Sequence, residues 1–320
     1  MVIINATLSV FLLILLGGFL RGIHVLSEES LKPLVRLCIN VLYPCLIFDK
    51  VGKTDILSHL DTMWLAAVIG YLTVLIPFGL GVLFSWLSPR LTGLDDADKR
   101  HTFVVSASLY NYGYLPIPIL LLLFPENPEI MSLMFLFTMG VELSVWTVAV
   151  PCLAGGIRKG WWKNMLTMPL IAVLAAIGLN LAGGYAWIPQ CVATTITWIG
   201  QAYLSIPLII VGAFVLQELL RVRSHLDRGL KRNLFWLLIF RGAVFPALVL
   251  CAATLFPGKP LLQQILVIQA GMPTAMLMVM FTQMYGGNNT FATWSVVLTN
   301  FLSPVTAILW IAVGMRWIAA

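Results

Sequence analysis

Charge is what this sequence has least of. Only 10% of its 320 residues are Asp, Glu, Lys or Arg, where a soluble globular domain carries about a quarter. Hydrophobic residues make up 60%, and the mean hydropathy is +0.96. A chain of this size has no interior large enough to hide that much apolar surface, which excludes a soluble multidomain protein. Cysteine is scarce as well: Cys38, Cys45, Cys152, Cys191 and Cys251 are scattered, with no pair at metal-binding or redox spacing. They read as small apolar packing residues. The four histidines, His24, His59, His101 and His225, fall at the ends of apolar segments or between them. No H-E-x-x-H or G-x-S-x-G pattern appears, so nothing suggests an enzyme, a metal or a cofactor. Nothing resembles a selectivity filter or a ring of charges. The formal charge of +6 is spread over connections, which suits an anionic lipid surface and not nucleic acid.

What is present is a series of long apolar runs. A helix needs about 20 apolar residues to cross roughly 30 Å of hydrocarbon. Ten such segments are expected, at 5–22, 31–49, 63–87, 102–124, 130–153, 167–184, 189–216, 233–255, 261–283 and 293–315. Continuous runs, not alternation, exclude barrel strands, and short connections leave no room for a sizeable soluble domain. The longest segments call for tilt or a break. The first one lacks a basic leading region and a small-residue cleavage site, so it reads as an uncleaved span and not a leader.

Basic residues set an orientation. After the odd-numbered spans lie Arg21, Lys32, Arg36, Arg90, Lys99, Arg100, Arg158, Lys159, Lys163, Arg221, Arg223, Arg228, Lys231 and Arg232. The opposite side carries Lys50, Lys53, Lys259 and Arg316, and Arg241 falls within a span. Positive residues stay cytoplasmic, so both termini are expected outside.

Ten spans divide into two fives, 1–153 and 154–320. Five is odd, so a second copy of the unit would insert inverted. Span 2 carries "YPCLIF" with Pro44, and span 7 carries "SIPLII" with Pro207. Span 4 carries Gly113 and Pro116, and span 9 carries "QAGMPTAM" with Gly271 and Pro273. The proline offsets are 163 and 157, close to half the chain. Inverted repeats with interrupted helices in matching places are a transporter architecture.

The segment "LYNYGYLPIPIL", Leu109 to Leu120, states the puzzle most sharply, because it breaks its own helix at mid-span. Proline removes a donor and clashes one turn back, and glycine lets the chain leave helical geometry. Pro116 and Pro273 are expected to start the second halves of spans 4 and 9. Unpaired backbone cannot face lipid, so two breaks meeting at the midplane would enclose a polar site, and half-helix N-termini there favour an anion. The candidate binding residues are Asn111, Tyr112, Gly113, Pro116, Gln269, Gly271, Met272, Pro273 and Thr274, with Tyr110 and Tyr114 as further walls. Pro44 and Pro207 would shape the wall opposite. Glu142 and Arg241 are the two deeply embedded charges, costly enough to face the interior. Glu142 is a candidate proton carrier; Arg241 is a candidate counter-charge for an anion or for Glu142. Thr299, Asn300, Ser303 and Pro304 are candidate supports from span 10.

"LYPCLIF", "YNYGYLPIPIL" and "MPTAMLMVMFTQMYGGN" together resemble the auxin efflux carrier family, over nearly the whole chain. The resemblance implies an all-α membrane fold with crossed, broken fourth and ninth helices. Spans 1, 2, 6 and 7 would form a scaffold, and spans 3–5 and 8–10 a moving transport domain. It maps the family's binding asparagine to Asn111 and its crossover prolines to Pro116 and Pro273; Pro118 departs from the common pattern. It implies secondary transport of an organic anion, such as auxin in plants or a small carboxylate like malate or malonate in bacteria, by alternating access, with a proton or sodium as possible coupling ion. The short connection between spans 5 and 6 resembles the compact bacterial form, which implies the cytoplasmic (inner) membrane, and the family suggests a homodimer through the scaffold. The rival readings are an anion channel and a membrane sensor that binds without transporting.

Overall fold

The computed structural model describes residues 2–52, 54, 60–87, 92–94, 96–156, 166–221 and 227–319. Lys53, Arg90, Arg158, Lys159, Lys163 and Arg223, six of the residues that set the expected orientation, lie outside the described residues, as do His59 and His225.

Most of the described chain is helical. In order it forms α1 (Val2–Gly22), α2 (Glu28–Leu37), α3 (Tyr43–Val51), α4 (Leu60–Leu87), α5 (Ala97–Ser108), α6 (Pro116–Leu123), α7 (Pro128–Ser144), α8 (Val150–Leu153), α9 (Met168–Leu181), α10 (Gln190–Ala202), α11 (Ile206–Arg221), α12 (Arg228–Ile239), α13 (Phe245–Thr254), α14 (Pro260–Ala270), α15 (Leu277–Tyr285) and α16 (Asn289–Ala319). Seven helical stretches among the described residues are long and apolar enough to cross a membrane. The other three of the ten expected spans look different. Met168–Leu181 is helical for only 14 residues, about 21 Å at 1.5 Å per residue. The segments at 102–124 and 261–283 are each two short helices with non-helical chain between them.

Proline is absorbed in two ways. In three spans the turn before it widens: Cys38–Leu42, Val145–Ala149 and Phe240–Val244 are π-turns directly ahead of Pro44, Pro151 and Pro246. The amides of Tyr43, Val150 and Phe245 there reach back five residues, to Cys38, Val145 and Phe240. The wider turn makes room for the ring and keeps the helix running. In α16 the carbonyl of Asn300, orphaned by Pro304, accepts instead from the Ser303 hydroxyl at 2.7 Å.

The polarity of the molecule is reversed relative to a soluble protein. Leu15, Trp64, Phe301 and Val305 stand exposed, while Ser106, Asn111, Arg241, Gln269, Thr274, Thr299 and Asn300 are buried. An exterior this apolar needs lipid around it. Without a hydrophobic drive between helices, small residues set the closest contacts. A Cβ on Gly17 would lie 1.9 Å from the Ile209 carbonyl oxygen, and one on Gly212 1.7 Å from that of Ile14, so α1 and α11 touch backbone to backbone.

Candidate functional site

The two interruptions lie against each other. Helix α5 ends at Ser108, and Leu109 turns extended at φ −85°, ψ 115°. Tyr110 and Thr274 then form an antiparallel bridge. The Asn111 amide donates to the Pro273 carbonyl at 2.8 Å and the Ala275 amide to the Leu109 carbonyl at 3.1 Å. Backbone that is costly to bury without partners is paired here as a two-residue scrap of sheet.

Side chains finish the pairing. Thr274 donates its hydroxyl to the Ser106 carbonyl at 3.1 Å, and its amide donates to Thr299 Oγ1 at 3.2 Å. Asn300 Nδ2 reaches the Thr274 carbonyl at 3.2 Å. Gln269, fully buried, donates to the Tyr112 carbonyl at 3.3 Å. Tyr110 shares a 2.6 Å hydrogen bond with Thr73. Gly271 packs against Ala307, whose Cα would lie 3.0 Å from an added Cβ.

The start of α6 follows the expected rule, with Pro116 at its first position. Asn111 Oδ1 caps that start, accepting from the amides of Tyr114 at 3.1 Å and Leu115 at 3.4 Å. The second break departs from expectation. Helix α15 begins at Leu277, not at Pro273. The reason is the bridge: pairing of 274 with 110 holds the chain extended beyond the proline, so helical geometry resumes only at Met276.

A cavity of about 200 Å³ opens at the breaks. From the first break it is lined by Tyr110 to Tyr114 and from the second by Ala275, Met276 and Leu277; Glu142 and Thr167 close one wall. The Nδ2 of Asn111, buried, has no partner. Among the described residues the backbone N–H groups of Gly113 and Leu277, both lining residues, meet no acceptor either. Glu142 accepts from Thr167 Oγ1 at 2.9 Å and from the Tyr112 hydroxyl at 3.4 Å.

Of the residues singled out in the sequence, Asn111, Tyr112, Gly113 and Glu142 line this cavity. Pro116, Gln269, Gly271, Met272, Pro273 and Thr274 stand behind it and build the breaks. Pro207 lines a neighbouring groove of about 250 Å³ that shares Tyr114, Met276 and Leu277 with the cavity and runs out to Glu28 and Arg221. Pro44 faces a different hollow, beside Phe48 and Trp187. Arg241 is not paired with Glu142; its guanidinium donates to the carbonyls of Ala107, at 3.3 Å, and Met272.

Sequence reasoning passed over Tyr43, Trp146, Thr167, Tyr203 and Phe281, which also line the cavity. A signal existed for two of them. Tyr43 and Tyr203 sit one and four residues ahead of the prolines that mark spans 2 and 7, and their rings stack at 4.6 Å and 16°.

An apolar exterior around a cavity that opens where two helices are interrupted, with buried polar side chains behind it, defines an integral membrane protein. Comparison with known proteins agrees: the family described as "Membrane transport protein" matches the chain twice in tandem, over residues 2–155 and 156–311. The chain belongs to that family, the one its motifs resemble. It is 24% identical over 317 residues to an uncharacterized transporter of Methanocaldococcus jannaschii, covering 97% of this chain and 98% of that one. It is 26% identical over 311 residues to an uncharacterized transporter of Methanothermobacter thermautotrophicus, covering 96% of each.

Proposed function

We propose that this protein is a secondary transporter of a small organic anion, a carboxylate of a few carbons, held between the two breaks and carried by alternating access. The observation that carries the reading is the unpartnered Nδ2 of Asn111 at a cavity whose other free donors, the amides of Gly113 and Leu277, stand at the starts of α6 and α15. Amides at a helix N-terminus attract negative charge. The volume, about 200 Å³, is below the roughly 300–1,000 Å³ typical of drug-sized ligands.

The architecture that goes with this reading has ten membrane segments in two inverted repeats, 1–153 and 154–320, with the interrupted fourth and ninth crossing at mid-depth. The tandem family match, which changes copy at 155/156, supports two repeats. Spans 1, 2, 6 and 7 serve as scaffold and the rest as transport domain. Both termini face outside a bacterial inner membrane, and a homodimer forms through the scaffold. The groove from Tyr114 to Arg221 then leads to the cytoplasm, and Glu142 takes up a coupling proton.

The test is a thermal-shift series on purified protein with malonate, malate and larger carboxylates, followed by uptake and counterflow in proteoliposomes. Binding without uptake turns the reading to a sensor, and ohmic current without counterflow turns it to a channel. No response to any carboxylate overturns the anion reading.

A further inference from the structure

The buried cation Arg241 is unaccounted for by the cavity, which it does not line. It is 5% exposed, and among the described residues no carboxylate pairs with it. A guanidinium in this setting needs compensation, since an unpaired buried charge costs several kcal/mol. Its partners are carbonyls. One hydrogen bond goes to Ala107, in the last turn of α5, and one to Met272, two residues past the end of α14. The guanidinium also lies 3.9 Å from the Phe245 ring centroid and 5.8 Å from that of Tyr110.

The Nε of Arg241 stays without a partner, and the compensation comes through the two terminal nitrogens. Each helix C-terminus carries roughly half a negative charge. Two of them converge on one guanidinium, so the carbonyl ends of both breaks are neutralised by one side chain. In carriers with interrupted helices, unwound carbonyls and half-helix C-termini are where a coupling cation is coordinated. Here that position is filled from within the chain. The π-turn Phe240–Val244 ahead of Pro246 sets Arg241 there, and the Trp310 indole takes up the Gly242 carbonyl at 2.9 Å.

We infer that Arg241 is a tethered cation: it occupies the carbonyl ends of both interrupted helices in place of a metal ion and holds the two breaks in register. With the Ala107 and Met272 carbonyls taken up, the donor ends of α6 and α15 are the ones left facing the cavity, which deepens and rests on the anion reading above. Arg241 is a positioning residue, since it acts through the backbone of both breaks. The consequence is that this carrier needs no sodium at that position, and that removing the guanidinium creates a need for a metal cation.

The experiment compares thermal unfolding of the purified full chain in choline chloride and in sodium or potassium chloride at equal ionic strength. The unaltered protein is expected to unfold within about 1 °C in all three salts. Arg241→Met is expected to be destabilised in choline and raised by at least about 3 °C by sodium or potassium. Arg241→Lys, which restores the charge, is expected to lose the salt response. Sodium stabilisation of the unaltered protein overturns the inference. So does an Arg241→Met protein that folds without responding to either metal, or one that folds in none of the salts, since a free cation then fails to replace the guanidinium. No carboxylate enters this comparison, so its outcome is independent of whether the transport reading stands.

Discussion

Tyr110 and Thr274, from opposite halves of the chain, pair as an antiparallel bridge between two helices that have each come apart. The bridge answers what an interrupted helix does with its backbone. Instead of leaving four bare helix ends, the chain couples the two breaks into one unit through Asn111–Pro273 and Ala275–Leu109 hydrogen bonds. On the proposed reading, a ligand between them meets a preorganised set of donors.

Asn111 caps α6 with one atom and is proposed to bind with the other, and the two roles can be separated. Its Oδ1 caps α6, while its Nδ2 is free. Asn111→Ala is expected to lose both, with a cap cost of about 1 kcal/mol. Asn111→Asp keeps the acceptor and places a carboxylate where the ligand's own charge would sit. Its melting temperature is expected to stay within a few degrees of the unaltered protein, while malonate no longer raises it. A malonate shift retained in Asn111→Asp would remove Nδ2 from binding.

Thr299 bears on the second break from outside the cavity. Its hydroxyl accepts the Thr274 amide. Thr299→Val keeps the shape and strands that amide, at a cost of about 1–3 kcal/mol for a buried donor without a partner. At roughly 2–4 °C per kcal/mol, a fall of several degrees in the unfolding midpoint is expected, with weakened ligand binding beside it. An unchanged midpoint would mean that the bridge alone holds this segment.

Legibility followed how local the physics was. The break at Gly113 and Pro116 was readable because both residues act on their own backbone, and Pro116 starts α6 as expected. The second break was readable in place but not in register. Pro273 looked like a helix start, yet the bridge to Tyr110 delays α15 to Leu277, and a pairing between distant segments leaves no mark in either one. The same limit hid Thr167 and Trp146 from the cavity wall, since the prolines near them, Pro169 and Pro151, mark a helix start and a continuing span and not a break. Arg241 was visible as an embedded charge, but its partners are backbone carbonyls, which no sequence pattern announces.

Gly212 offers a test of the packing between α1 and α11. Any Cβ there meets the Ile14 carbonyl oxygen at 1.7 Å, and backbone cannot yield as a flexible side chain can. Gly212→Ala is expected to push the helices apart and to cost about 1–3 kcal/mol, the usual range for overpacking. Thermal unfolding in detergent measures it. Gly212 lines neither the cavity nor the groove, so malonate affinity of the surviving folded fraction is expected to be unchanged.

Glu142 is the one carboxylate among the residues lining the cavity, and no basic side chain lines it. An anion entering beside an ionised Glu142 would face repulsion of about 4 kcal/mol at 4 Å and an effective dielectric near 20, roughly a thousandfold in affinity. A proton on Glu142 removes that barrier, so proton and anion are expected to load together. Glu142→Gln imitates the protonated form. The variant is expected to bind malonate at least as tightly as the unaltered protein and to support malonate counterflow. An inward proton gradient is expected to drive net uptake in the unaltered protein and to leave Glu142→Gln unaffected. Gradient-driven accumulation by the variant would place the coupling proton elsewhere.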